Sequence, residues 1–284
     1  MAQGVVAAPG AFNALVARAV ANAGFHACYV SGGATSVAAG VPDVGLLTLD
    51  HFSRIVREVV TGSGLPTIAD ADTGFGEEEM VRRTVIEYNH AGAAGLHLED
   101  QVFPKRCGHL DGKALIPVDQ AVSKIEWAAR ASRDCSNGDF IICARTDAKG
   151  VEGFDAAIDR AEAYVNAGAA MIFPEGLSSE EEFEAFAKTL RERLGATRVR
   201  LLANMTEFGK TPIIPLDRFG AMGYDLVIYP VTTLRVAMGA VARALGTLRE
   251  HGSVEPFLNE MQTRQELYDL VGYAPGTPWA FPAR

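Results

Sequence analysis

The chain has 284 residues, of which 48% are hydrophobic and 21% are charged, so it can bury a large core and lies within the length of one α/β barrel. Its formal net charge of −9 argues against general binding to nucleic acids or anionic membranes, while leaving room for a local basic pocket that binds a small anion. Its four cysteines are too few for a disulfide scaffold, and none belongs to a C-x-x-C pair.

Targeting signals are not evident in the sequence. No run of about 18 apolar residues is present, and the N-terminus lacks the charged region, apolar region and cleavage site of a signal peptide. We therefore expect a cytoplasmic protein that binds neither membranes nor nucleic acids.

Short apolar runs alternate with longer amphipathic stretches from the N-terminus to about residue 250, which is typical of β/α units on a parallel sheet. The apolar runs predict eight strands, at residues 4–8, 27–31, 67–71, 95–99, 140–145, 171–175, 200–204 and 226–230. Apolar residues at helical spacing predict helices at residues 49–60, 77–90, 118–133, 154–166, 179–194 and 233–250. The chain is therefore expected to belong to the α/β class.

Eight such units predict a (β/α)₈ barrel, in which functional residues collect at the C-terminal ends of the strands. Polar residues follow nearly every predicted strand: Ser31, Asp70 with Asp72, His97 with Glu99, Arg145, Glu175, Asn204 with Thr206, and Arg235. This spread over all the strands fits a barrel better than a doubly wound sheet. We assign residues 1–251 to the barrel and residues 252–284 to a C-terminal helix and tail of the same domain. That helix, predicted at residues 255–271, can pack on its own barrel or cross to a partner subunit.

Four acidic residues near strand ends form the first candidate site: Asp43, Asp70, Asp72 and Glu99. Carboxylates at positions i and i+2, such as Asp70 and Asp72, leave a strand on the same side. A site with oxygen ligands and room for water suits Mg²⁺ or Mn²⁺ better than zinc. Helix capping or pairing with arginines is the alternative explanation of each acid taken alone.

Four cationic residues form the second candidate site: Lys105, Arg106, Arg145 and Arg235. Guanidinium groups bind carboxylates and phosphates through two parallel hydrogen bonds, so Arg145 beside a metal predicts a polyanionic substrate. Arg145 can also neutralise Asp72 or Glu175 inside the barrel mouth, and the two roles are compatible. The Ser31, Gly32 and Gly33 turn offers backbone N–H groups to an anion, although this signal is weak.

A thiol lies between Arg106 and Gly108 in the segment that continues to His109. Cationic neighbours lower the pKa of Cys107 and prepare it to transfer a proton or to attack a substrate. The alternative, a small core residue, is less consistent with these polar and glycine-rich flanks. Cys28 and Cys143 lie inside apolar strands and are interpreted as core residues.

Three further residues have two interpretations each. His97 either supports the metal site from behind or is a hydrogen-bonded core histidine. Phe173 and Ile228, each directly or closely followed by Pro, either shape an apolar pocket at the barrel mouth or belong to the core.

With these motifs in place, the chain resembles the isocitrate lyase and phosphoenolpyruvate mutase superfamily over nearly its whole length. The most specific motifs are residues 29–33, 42–43, 70–76, 105–109, 144–148, 173–175, 204–209 and 261–264. The resemblance implies a Mg²⁺-dependent barrel, with Mn²⁺ possible, and a mobile loop that carries the cysteine. It also implies a homotetramer in which a C-terminal helix is exchanged between subunits. The chain starts almost on its first strand, without the helix that precedes it in many members, so we expect a less covered barrel bottom.

Carried over by position, the resemblance implies a role for each site residue. Asp70 would ligate the metal directly, and Asp43, Asp72 and Glu99 would hold its waters. Substrate would contact Ser31, Gly32, Gly33, Arg106, Gly108, His109, Arg145, Phe173, Glu175, Asn204, Thr206, Ile228 and Arg235. Cys107 would act as general acid, whereas Tyr29, Lys105 and a metal-bound water all stay open as the general base.

The implied activity is cleavage of a carbon–carbon bond in a 2-alkyl-2-hydroxy di- or tricarboxylate, with 2-methylisocitrate, cleaved to pyruvate and succinate, as the first expectation. Residues 102–104 and 110–113 look equally like the 2,3-dimethylmalate lyase branch. Other 2-alkylmalates, isocitrate, hydrolysis or decarboxylation of oxaloacetate, and phosphonate mutation remain as alternatives, and the Cys107 segment argues against the last two. A non-catalytic barrel that binds a dicarboxylate is the alternative of another class.

Overall fold

The computed structural model describes residues 4–106, 108 and 112–279. Its centre is a sheet of eight parallel strands: β1 Val6–Pro9, β2 Cys28–Val30, β3 Thr67–Asp70, β4 Gly95–Glu99, β5 Ile141–Thr146, β6 Met171–Pro174, β7 Arg200–Asn204 and β8 Leu226–Tyr229. Every predicted strand is confirmed, with bounds that differ by at most two residues.

The strands follow one another around a barrel, and β8 returns to pair with β1 through Val6 and Leu226. β1 and β2 pair over a shorter length than the other neighbouring strands, through a parallel bridge between Gly10 and Tyr29. On the β8 side of β1, a Cβ at Gly10 would lie 2.2 Å from the carbonyl oxygen of Pro230. Only glycine therefore allows these two backbones to approach so closely. The predicted (β/α)₈ barrel is therefore confirmed.

Helices cover the outside of the barrel and fill its loops. They are α1 Ala14–Asn22, α2 Gly32–Ala38, α3 Leu49–Ser63, α4 Glu78–His90, α5 Val118–Ser136, α6 Ala148–Val151, α7 Phe154–Asn166, α8 Glu180–Leu194, α9 Leu216–Met222, α10 Thr232–His251 and α11 Arg264–Val271. The six helices predicted from apolar spacing are confirmed, and the structure adds α1, α2, α6 and α9.

The core has two parts. The larger part lies between the strands and the outer helices, where Phe52, Tyr88 and Phe186 are fully buried. The smaller part fills the barrel interior, with Cys143, Met171 and other side chains that alternate inward along their strands. Because the interior is packed, the site can lie only at an end of the barrel.

Helix α10 differs from the other outer helices. Of its twenty residues only Leu234 is buried, and its apolar side chains at Val241, Leu245 and Leu248 are exposed. A helix that covers a barrel strand normally buries an apolar stripe against it. The apolar stripe of α10 therefore lacks a cover among the described residues of this chain.

The segment predicted as one helix at residues 255–271 is two elements, a 3₁₀ helix at Glu255–Glu260 and α11. The expectation of a continuous helix was wrong because the backbone is extended at Met261 and Thr263, and Thr263 caps the start of a separate helix. Its side chain accepts a hydrogen bond from Glu266 N–H, and the Glu266 side chain accepts one from Thr263 N–H. α11 then returns to the barrel, where Arg18 donates to the carbonyl oxygen of Val271 at 3.1 Å.

None of the described helices combines the length and the apolar character that a membrane span requires.

Candidate active site

The C-terminal ends of the strands surround one cavity at the mouth of the barrel. Predicted site residues that line it are Tyr29, Ser31, Gly33, Asp43, Asp70, Lys105, Gly108, Arg145, Phe173, Glu175, Asn204, Thr206, Ile228 and Arg235. Gly32, Asp72 and Glu99 lie directly behind this lining, in contact with Asp70, Lys105 and Arg145. Cys107 and His109 lie outside the described residues.

Asp70, the last residue of β3, is held by two backbone N–H groups. Gly32 N–H donates to Oδ2 at 3.0 Å and Asp72 N–H donates to Oδ1 at 2.9 Å. A Cβ at Gly32 would lie 2.6 Å from Oδ2, so the approach depends on glycine. Burial by itself would raise the pKa of Asp70, but the interaction with His97 and the charges of Lys105 and Arg145 outweigh it and lower this pKa. Asp70 is therefore more acidic than an ordinary aspartate side chain.

Asp72 and Glu99 show the opposite behaviour. Burial, followed by the charge of Asp70, raises the pKa of Asp72 to about 7. Burial also raises the pKa of Glu99 well above its usual value, against the charges of Arg145 and Lys105. Neither carboxylate oxygen of Glu99 accepts a hydrogen bond from a described residue, although Oε2 lies 3.2 Å from Arg145 Nη1. The cations near these two carboxyl groups do not fully offset the cost of burying their ionised forms.

Lys105 places its ammonium group among the carboxylates. It pairs with Asp43, and its Nζ lies 2.8 Å from Asp72 Oδ1. Burial by itself would lower the pKa of Lys105, but the charges of Glu99, Asp72, Asp70 and Asp43 outweigh it and raise this pKa. The position is thus one where a cation is strongly favoured.

These donors fit a hard divalent cation. In residues 4–106, 108 and 112–279, no three His, Cys, Asp or Glu side chains lie close enough to hold an ion by themselves. Mg²⁺ keeps several of its waters in proteins and needs only one or two carboxylates, so this arrangement suits it. The unsatisfied oxygens of Glu99 and the raised pKa values of Asp72 and Glu99 indicate that added positive charge would be stabilised here.

Arg145, at the end of β5, links the acids to the substrate side of the cavity. Its Nε donates to Asp147 Oδ2 at 2.9 Å, and its Nη2 lies 3.8 Å from Glu175 Oε2. The guanidinium also lies 5.2 Å from the centre of the Phe173 ring. Of the two partners suggested by the sequence, Glu175 is near Arg145, whereas Asp72 pairs with Lys105. Arg145 therefore neutralises acids and faces the cavity at once.

The residues behind Arg145 were missed by sequence reasoning. Asp147 is fully buried and binds both Arg145 and Lys113, whose Nζ lies 2.8 Å from Oδ1. Asp100 accepts hydrogen bonds from Asp147 N–H at 3.0 Å and from the Thr146 hydroxyl at 2.7 Å. The i+2 spacing of Arg145 and Asp147 was the available signal, since it places both side chains on one side of β5.

His97 is buried between the cavity and the barrel interior. Its Nε2 lies 2.7 Å from the Tyr29 hydroxyl and 3.6 Å from Asp70 Oδ1, and its ring meets Phe173 edge-on. Burial lowers the pKa of His97 to about 4, so the ring is neutral. Burial also raises the pKa of Tyr29 well above its usual value. Both interpretations of His97 thus apply: it is a hydrogen-bonded core residue and it supports Asp70.

On the opposite wall, Asn204 Nδ2 donates to Glu175 Oε2 at 3.1 Å. Arg235 lies 3.8 Å from Glu207 and 5.1 Å from the centre of the exposed Phe208 ring. Ser31 caps α2 by accepting a hydrogen bond from Ala34 N–H. The Gly32 N–H proposed for an anionic ligand donates to Asp70 in this structure.

Arg106 is placed differently from the other predicted residues. Its backbone is fixed by Gln101, which accepts from Arg106 N–H at 2.9 Å and donates to its carbonyl oxygen at 2.8 Å. Its side chain is exposed and approaches Gly112. Arg106 does not belong to the described lining of the cavity.

Comparison with known proteins agrees with this geometry. The family model "Phosphoenolpyruvate phosphomutase" matches residues 1–249. "Probable 2-methylisocitrate lyase 1" of Corynebacterium glutamicum is 51% identical over 93% of this chain and 84% of its own. The 2-methylisocitrate lyase of Aeropyrum pernix is 48% identical over 95% of this chain and 83% of its own.

Solved structures give the same grouping. Oxaloacetate acetylhydrolase with the inhibitor 3,3-difluorooxalacetate has a TM-score of 0.87 at 34% identity, covering 94% of this chain and 88% of its own. 2,3-Dimethylmalate lyase has a TM-score of 0.86 at 36% identity, covering 95% and 87%. Phosphonopyruvate hydrolase complexed with oxalate and Mg²⁺ has a TM-score of 0.83 at 29% identity, covering 94% and 90%. On its sequence, its barrel and its relatives, the chain belongs to the phosphoenolpyruvate mutase and isocitrate lyase superfamily.

Proposed function

We propose that the chain is a Mg²⁺-dependent lyase that cleaves 2-methylisocitrate to pyruvate and succinate. The observation that carries this proposal is a cavity in which the apolar side chains of Phe173 and Ile228 lie beside Asp70, Arg145 and their acidic neighbours. Such a cavity offers cationic partners to carboxylates and an apolar wall to an alkyl group on C2. The 2-methylisocitrate lyases, 40–51% identical over most of the chain, support the choice of substrate.

Asp70 is the residue that we assign as direct metal ligand, with Asp43, Asp72 and Glu99 holding water ligands. Mg²⁺ bound there supplies Lewis acidity that lowers the pKa of the substrate's 2-hydroxyl group. Phosphonopyruvate hydrolase, a relative with the same fold, has been solved with Mg²⁺. The acidic partners of Lys105 keep this side chain protonated, so we assign it an electrostatic role and not that of the base.

The chain's own residues act on the departing succinate unit. Cleavage leaves electron density on this unit as a dianionic aci-carboxylate, which Arg145 and the Asn204 amide stabilise with fixed positive charge and N–H donors. Tyr29 and a water stay open as the base that takes the proton of the 2-hydroxyl group, and Cys107 donates a proton to the new carbanion. The dianion itself must raise the pKa of Cys107 for this, because the cationic neighbours of Cys107 in the sequence favour a thiolate that cannot donate.

One assay tests the proposal and its rivals. We expect pyruvate release from 2-methylisocitrate to exceed 2-oxoacid release from isocitrate and 2,3-dimethylmalate, and to stop in EDTA. Cys107→Ser should abolish turnover while substrate still binds. Preferential cleavage of dimethylmalate would assign the chain to that branch, and no product from any of the three would overturn the lyase function.

The assembly that we propose is a homotetramer in which α10 is exchanged between subunits, in place of the helix expected at residues 255–271, because α11 contacts α1 of its own barrel. The exposed apolar stripe of α10 needs a cover, and an apolar groove of about 480 Å³ lies between α1 and α9 on the outer face of β1 and β8. Its lining includes Ala19, Val20, Phe25 and Leu216. This groove occupies the place where an eighth helix would cover the barrel, which supports docking of α10 from a partner subunit.

The remaining assignments follow from this function. We propose that the enzyme works in the cytoplasm on small hydroxy-carboxylates, without nucleic-acid or membrane partners. We also propose that residues 1–251 form the catalytic barrel and residues 252–284 a C-terminal extension of the same domain.

A further inference from the structure

Lys113 is buried at the mouth of the barrel although nothing in the proposed chemistry uses it. Only 5% of its side chain is exposed. Its ammonium group lies 2.8 Å from Asp147 Oδ1 and also donates a hydrogen bond to the carbonyl oxygen of Gly108. Because an ammonium group buried this deeply is costly unless it is paired and hydrogen-bonded, these two contacts fix where Lys113 lies.

The first contact connects Lys113 to the central guanidinium of the site. Asp147 accepts hydrogen bonds from Arg145 Nε at 2.9 Å and from Nη2 at 3.2 Å, so it sets the plane of the guanidinium. Burial by itself would raise the pKa of Asp147, but the charges of Arg145 and Lys113 outweigh it and lower this pKa. Asp147 therefore stays ionised with two cationic partners, of which only Arg145 lines the cavity.

The second contact connects Lys113 to the backbone beside Arg145. A Cβ at Gly108 would lie 2.4 Å from Arg145 Nη2 and 2.6 Å from Glu175 Cγ, so the chain at residue 108 packs directly against both side chains. One ammonium group thus contacts both the carboxylate that binds Arg145 and the backbone that packs against it.

We propose that Lys113 is a positioning residue for the cleavage reaction, acting through Asp147 on the direction of the Arg145 guanidinium and through the Gly108 carbonyl on the backbone that packs against it. The proposal rests on the lyase function proposed above and deepens it. Without the ammonium group, Asp147 has one cation in place of two, and the Gly108 carbonyl loses its charged donor.

The test is Lys113→Met, which keeps the length and the apolar stem of the side chain. A misplacement of the reacting groups by about 1 Å costs about 100-fold in rate, so we expect kcat to fall by about that factor. We expect KM for 2-methylisocitrate to rise by less than about tenfold, because the ligands of the ground state remain. In Lys113→Ala, added ethylammonium should restore part of kcat, which a merely structural defect would not allow.

The matched control is Lys149→Met, because Lys149 pairs with Glu182 at the surface, 2.9 Å away, on the neighbouring helix α6. We expect wild-type kcat and KM from this variant. Wild-type kcat in Lys113→Met, in an assay where the wild type turns over, would overturn the positioning role and leave the lyase function standing.

If the wild type cleaves 2-methylisocitrate, isocitrate and dimethylmalate equally poorly or not at all, the lyase function fails by itself. Calorimetric binding of oxalate in Mg²⁺ then decides on Lys113, and we expect the Met variant to bind about threefold or more weakly because Arg145 is less well oriented. Equal affinity of the two proteins for oxalate would contradict the proposal.

Discussion

At the scale of single residues, the site depends on a glycine as much as on its acids. Gly32 begins α2 directly after β2, and the absence of a side chain lets its N–H group reach Asp70. The neighbouring Gly33 is less constrained, because a Cβ there would meet Asp43 Oδ2 at an ordinary 3.5 Å. The two glycines therefore form a matched pair for a test.

We expect Gly32→Ala to weaken Mg²⁺ binding by about tenfold or more, equivalent to about 1.4 kcal/mol, because the new methyl group would displace the Asp70 carboxylate from its position. Gly33→Ala should change the affinity by less than about twofold, since its Cβ meets ordinary contact distances. Titration calorimetry with Mg²⁺ measures both. Equal loss in the two variants would mean that the effect comes from α2 and not from Asp70.

At this scale the sequence indicated the acids, Arg145 and the apolar pair, because most of them lie at or near the end of a predicted strand. The structure places them in or directly behind the lining of one cavity. It did not indicate Lys113 or Asp100. Lys113 is far along the chain from the strand end that it serves, and its contact with Asp147 depends on how the chain returns between β4 and α5. Such a contact leaves no periodic signal in the sequence.

At the scale of elements, the sequence predicted whether a segment is a helix or a strand better than it predicted which element packs against it. Apolar spacing at residues 233–250 identified α10 and its apolar stripe. Periodicity says which face of a helix is apolar, but the element that covers this face is decided by the path of the chain and by other subunits. The break before Thr263 is another feature that apolar spacing does not show, because a local capping box begins α11 as a separate helix.

We expect Leu245→Glu in α10 and Ala19→Glu in the groove to dissociate the assembly, because each places a charge in an apolar contact of the proposed exchange. Glu250→Lys, at the polar end of the same helix, is the control for the added change in charge and should keep the wild-type mass. Light scattering after size exclusion gives the mass of each. An unchanged tetramer in both interface variants would exclude this mode of assembly.

At the scale of the whole molecule, strand order was predictable because alternating units leave few topologies for a parallel sheet. The close approach of the Gly10 and Pro230 backbones, where β1 meets β8, was not predictable, since no sequence pattern records it. The net charge at the barrel mouth was likewise not predictable from local sequence, because it is the sum over residues from seven strand ends and their loops.

That net charge predicts a stability effect of the metal. We expect Mg²⁺ at about 100 times its dissociation constant to stabilise the fold by about 2.7 kcal/mol, and to raise the melting temperature by several degrees relative to EDTA. The acids with raised pKa, Asp72 and Glu99, are the source of this effect, since added positive charge relieves the cost of their burial. A melting temperature that does not respond to Mg²⁺ in differential scanning calorimetry would contradict the metal assignment.

Among the described residues, seven carboxyl groups stand at the mouth, Asp43, Asp70, Asp72, Glu99, Asp147, Glu175 and Glu207, against four cationic side chains, Lys105, Lys113, Arg145 and Arg235. When all of these groups are ionised, the carboxylates outnumber the cations by three, and the polypeptide alone repels the polyanion that it is proposed to cleave. A divalent cation would reduce this excess of negative charge to one and would place positive charge where the anion binds. We therefore expect the cation to bind before the anionic substrate, and we expect loss of the cation to favour release of the anion.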